Sequence, residues 1–90
     1  MDRIEQQGRL PKDALPIDRY ARYYGQRSDG NIEAVYLDPA AIPSALPAGE
    51  RRWLEDVDDL PAINDGQCHV VSVEFDPRTG EAKAFCNGEA

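Results

Sequence analysis

The stretch "CHVVSVEFDPRTGEAKAFC", residues 68–86, constrains the fold of this chain more than any other. Apolar and polar residues alternate on both sides of "DPRTG". Proline is preset for the second turn position and glycine for a left-handed slot, which together mark a β-hairpin. Setting Phe75 opposite Ala82 puts His69, Val71, Val73, Phe75, Ala82, Ala84 and Cys86 on one face. Val70, Ser72, Glu74, Lys83 and Phe85 then share the other, where Glu74 meets Lys83 across the strands. Such an opposite-charge pair adds a few tenths of a kcal/mol.

A second hairpin is predicted over 19–38, around "RSDGN", a type I turn with Gly30 left-handed. Pairing Arg27 with Gly30 sorts Ala21, Tyr23, Gly25, Ile32, Ala34 and Tyr36 onto one face. Tyr20, Arg22, Tyr24, Glu33, Val35 and Leu37 fall on the other. The alternative is a helix over 17–25, in which Ile17, Tyr20, Ala21 and Tyr24 recur at helical spacing between Pro16 and Gly25. The hairpin is preferred because one register sorts two strands at once, and tyrosine-rich segments favour pleated surfaces.

Around these hairpins the chain is less regular. Residues 1–16 contain Gly8, Pro11 and Pro16 without periodicity and read as a flexible N-terminal arm. Residues 39–50, with three prolines, read as a crossing loop, and "RRWLEDV" as a short strand with Trp53 and Leu54 on opposite faces. The expected fold is therefore mainly β: one small domain over 17–90, an antiparallel sheet of two hairpins (about 19–38 and 68–87) with a long Pro-containing crossing. An α+β fold with residues 17–25 helical is the alternative. Ninety residues bury only about 60–65% of the surface that their unfolded chain exposes, so stability is expected to be a few kcal/mol.

A disulfide between Cys68 and Cys86 would then matter, contributing about 3 kcal/mol through loop closure. The register, however, sets Cys86 opposite Val71 and aims the two side chains at different faces. A bridge requires a bulge, or Cys68 lying before the strand begins, and both states stay open at this point. A bridged chain with a trimmed leader would be periplasmic or secreted; free thiols would suit the cytoplasm. As given, the N-terminus lacks the apolar core of a signal peptide, and no run of residues has the length and apolarity of a membrane helix.

The net charge of −7 is unevenly spread. Residues 1–30 hold six basic and five acidic side chains, whereas residues 31–90 hold four basic and twelve acidic. That field opposes a phosphate backbone, so no nucleic-acid partner is expected; it favours a basic protein. One histidine and two cysteines fall one ligand short of a structural zinc site, and "EDVDD" lacks the alternating spacing of a calcium loop. Neither a phosphate-binding glycine loop nor a nucleophile motif occurs, and no cofactor or metal is expected. Cys68 and His69 are neighbours but point to opposite faces of a strand, leaving His69 near Cys86 as the one arrangement a minimal enzyme could use.

The first functional expectation is thus a non-enzymatic binding or protein-interaction module, with Tyr20, Arg22 and Tyr24 or the Trp53 region as its surface. If another element covers the Tyr20, Arg22 and Tyr24 face, those residues are core instead. The alternatives are an acidic inhibitor or immunity-like protein for a basic target, and a minimal enzyme using His69.

Overall fold

A computed structural model of the chain describes residues 4–5, 10, 14–42, 46–61 and 67–87, the side chains of Gln67 and Asn87 aside. Five strands form one sheet: β1 (Ala21–Gln26), β2 (Ile32–Leu37), β3 (Arg51–Leu54), β4 (Gln67–Asp76) and β5 (Glu81–Asn87), in the order β3-β1-β2-β4-β5. The fold is mainly β, as the hairpin patterns predict. The alternative helix is reduced to a 3₁₀ turn at Ile17–Arg19, after which β1 takes the chain extended.

The second hairpin pairs as expected, with Phe75 against Ala82, Glu74 against Lys83 and Val71 against Cys86. Gly80 closes its turn at φ 77°, donating its N–H to the Asp76 carbonyl at 2.8 Å.

The first hairpin departs from expectation by one residue. Arg27 donates its N–H to the carbonyl of Asn31 at 2.7 Å, while Gly30, at φ 94°, donates to the carbonyl of Arg27 at 3.0 Å. The glycine therefore sits inside a three-residue loop, and Asn31, not Gly30, closes the pair. Because side chains alternate with period two, a slip of one residue exchanges the faces of β2 relative to β1. Arg22 now lies opposite Tyr36 and Tyr24 opposite Ala34 on one face; Tyr23 lies opposite Val35 and Ala21 opposite Leu37 on the other. Packing favours this register. It brings Tyr36 to 6.1 Å from Tyr20 and 6.0 Å from Tyr24, ring centre to ring centre, the latter edge-on as aromatic quadrupoles prefer.

β3 adds a second departure, since it runs parallel to β1 and makes the sheet mixed. As predicted, Trp53 and Leu54 lie on opposite faces, paired with Tyr24 and Gly25. The connection after β3 crosses one face of the sheet, where Leu54 and Leu60 pack with Leu46 over Ala21, Tyr23, Val35, Leu37 and Val70. Val57 in this crossing comes so close to β1 that a Cβ on Gly25 would stand 3.1 Å from its Cα. The arm covers the opposite face: Ile4, Leu10, Ala14 and Leu15 pack on Tyr20, Tyr24, Tyr36, Val71, Val73 and Phe75. At its described positions, then, the N-terminal arm is docked.

Candidate functional site

Tyr20, Arg22 and Tyr24 lie beneath the arm. Both tyrosines are fully buried and Arg22 is 6% exposed, so a partner cannot reach them while the arm is in place. The Tyr20 hydroxyl accepts from the N–H of Leu15 at 3.0 Å and donates to the carbonyl of Cys68 at 2.5 Å. Tyr24 donates to the carboxylate of Glu5, and its oxygen stands 3.4 Å from that of Tyr36. Arg22 reaches the same carboxylate at 3.0 Å and donates to the carbonyl of Gly49 at 2.9 Å. Burial raises the hydroxyl pKa of Tyr20, Tyr24 and Tyr36 above its ordinary value, and the Glu5 carboxylate raises that of Tyr24 further. All three are neutral phenols at any physiological pH.

His69 lies on Asp38, not on Cys86. Its Nδ1 stands 2.9 Å from a carboxylate oxygen of Asp38, whose other oxygen accepts the N–H of Ala40 at 3.0 Å. The Asp38 side chain is 7% exposed and that of His69 is half exposed. Burial pushes the Asp38 carboxyl up, but the His69 and Ala40 hydrogen bonds outweigh it and hold the carboxyl below its ordinary range. Cys86 has another partner: the sulfurs of Cys68 and Cys86 stand at disulfide-bonding distance, with Cα atoms 4.6 Å apart. The bulge that such a bridge requires is present. β4 shifts register between Gln67 and Val71, so Gln67, not Val70, begins the pairing with Asn87. This turns Cys68 toward Cys86 and removes the face conflict of the regular hairpin.

Among the described residues two large apolar side chains remain exposed, Trp53 at 44% and Phe85 at 49%. Trp53 lines an open groove of about 650 Å³ between the tip of the first hairpin and the segment after β3. Gln26, Arg27 and Ser28 form one wall; Glu55, Asp56, Val57 and Asp58 form the other. Arg27, the cation in this lining, is drawn away by Asp29 at 3.0 Å and Glu33 at 3.4 Å. Asp56 is spent locally in part, one oxygen accepting the N–H of Asp58 at 2.9 Å. Phe85 borders a smaller cleft of about 180 Å³ with Glu33, Ser72 and Glu74.

Of the predicted surface residues, the fold therefore buries Tyr20, Arg22 and Tyr24 and leaves Trp53 exposed, although Trp53 pairs with Tyr24 across β1 and β3. It also recruits two residues without a sequence signal. Glu5 sits in an aperiodic arm 17 positions from Arg22, and Asp38 lies 31 positions from His69, so only the folded chain joins either pair. Among the described residues, no group of three or more His, Cys, Asp or Glu could hold a metal ion, and no helix is long and apolar enough to cross a membrane. No protein-family model, curated protein or solved structure matches the chain.

Proposed function

We propose that the chain is a non-enzymatic protein-binding module whose docking surface is the Trp53 groove and whose partner presents basic side chains. The observation that carries this reading is the exposure of Trp53, 44%, beside Glu55, Asp56 and Asp58. An exposed indole is a ready platform for a guanidinium or ammonium, a contact of about 0.5–1 kcal/mol at an open site. Carboxylates around it add attraction and steer the encounter, and the surplus of acidic residues over 31–90 extends that field. Aromatic anchors ringed by polar residues are also where interface energy concentrates. An acidic inhibitor of a basic target would use the same surface, differing only in what the partner does when blocked.

The chain has one tryptophan, so its fluorescence reports this groove alone. Titration with octa-arginine at low ionic strength should shift or quench that emission saturably, and the apparent affinity should fall steeply as salt is added. An octa-glutamate peptide should do nothing, and Trp53→Ala should weaken binding measured by calorimetry roughly two- to fivefold. Emission unmoved by octa-arginine at low salt rejects the reading.

A further inference from the structure

The polar cluster under the arm has an unusual division of labour. Among the described residues its donors belong to the sheet: Arg22 and Tyr24 come from β1 and Arg51 from β3. The acceptor, Glu5, comes from outside it. One carboxylate oxygen of Glu5 takes Arg22 at 3.0 Å and Arg51 at 3.6 Å, and the other takes the Tyr24 hydroxyl. Arg22 carries its charge at 6% exposure, and its Nε, buried in the same cluster, has no hydrogen-bond partner. Take the arm away and β1 and β3 still hold two guanidinium groups and a phenol converging on a space the size of one carboxylate. A buried cation of that kind demands an anion, because without one only the Gly49 carbonyl is left to offset the desolvation cost of Arg22.

We propose that Arg22, Arg51 and Tyr24 form a carboxylate-binding site of the sheet, which the chain fills with its own Glu5 and which accepts an external monocarboxylate when Glu5 is missing. Selectivity follows from the donors. Two guanidinium groups on one oxygen and a hydroxyl on the other suit the paired oxygens of a carboxylate, whereas a spherical halide meets only one set of donors well. Ile4, 2% exposed beside Glu5, is the apolar anchor of this internal ligand. The Trp53 groove plays no part in this argument, so the two readings stand or fall separately.

The test is chemical rescue in the full chain carrying Glu5→Ala, followed by circular dichroism. Its melting temperature in sodium chloride should fall by about 5 °C or more relative to the parent chain. Sodium acetate or formate at the same ionic strength should recover roughly 4 °C or more of that loss, saturably. If the variant is unfolded in chloride, recovery of the β spectrum in acetate is the same positive result. Glu5→Gln, which fills the space, should gain nothing from acetate. Adding Arg51→Ala to Glu5→Ala should weaken the apparent acetate affinity roughly threefold, the share of a partly exposed ion pair. Acetate acting no better than chloride overturns the proposal, as does an acetate response that the loss of Arg51 leaves untouched.

Discussion

Tyr20, Tyr24 and Tyr36 make the centre of the larger core polar at its tips and apolar everywhere else. Each ring is fully buried, and burial raises each hydroxyl's pKa, so the folded chain holds three protons that an unfolded chain releases near pH 10. The sign follows directly: with folded pKa values above the unfolded ones, the contribution is fully present below pH 10 and is lost as pH rises beyond it. Each tyrosine steepens the loss by up to about 1.4 kcal/mol per pH unit, so the three together can remove about 4 kcal/mol per unit. Urea midpoints measured between pH 8 and 11.5 should be steady at first and then fall sharply above pH 10. A flat profile to pH 11.5 would mean that these hydroxyls ionise in the native fold. The tyrosine cluster was half legible, since "RYARYYG" announces aromatic packing, but nothing in it says which rings face inward. Arg22 was harder. Pattern reading assigns a charge to the outside, and only Glu5, from a stretch without periodicity, makes its burial tolerable.

At the level of elements, the two hairpins show how far turn chemistry carries. "DPRTG" leaves one good pairing, and Phe75 faces Ala82 as predicted. "RSDGN" admits two closures one residue apart, and the local glycine signal is the same in both. Tertiary packing of Tyr36 on Tyr20 and Tyr24 selects between them. The bulge between Gln67 and Val71 is the other element-level feature, and it lets Cys68 meet Cys86 across an 18-residue separation. Chain-entropy reasoning gives that link about 3 kcal/mol, a large share of the stability of a domain this small. Protein purified under oxidising conditions and denatured without reductant should resist alkylation and weigh two hydrogens less than the dithiol. Reduction should lower its urea midpoint by an amount equivalent to about 3 kcal/mol; uptake of two alkyl groups before reduction would refute the bridge.

For the whole molecule, the decisive arrangement is a single sheet with a different cover on each face. The arm lies on one side and the crossing after β3 on the other, with β3 alongside β1 in parallel. Gly25 packs closely against Val57 in this assembly, and a Cβ there would stand 3.1 Å from the Val57 Cα, so the crossing would have to give way by a few tenths of an ångström. Gly25→Ala should therefore destabilise by about 1–3 kcal/mol, as overpacking does, although alanine suits a strand no worse than glycine locally. Denaturant unfolding checks this, and an unchanged midpoint would mean that the crossing yields without strain. No local signal predicted this contact. As a helix C-cap the same glycine has a plausible local role, yet its actual constraint comes from a residue 32 positions away.

The sequence by itself determined what depends on neighbours along the chain: two hairpins, their turn glycines, the faces of 71–86, the short strand at Trp53 with its opposed side chains, and an acidic field over residues 31–90. Those features follow from backbone sterics, alternation and charge, all of which act within a few residues. Tertiary structure alone decided the register of the first hairpin, the parallel placement of β3, the burial of Tyr20, Arg22 and Tyr24, and the partners Glu5 and Asp38. Each of these is a choice between local arrangements of nearly equal energy. Packing and paired charges, contributed by residues far away in the chain, break the tie.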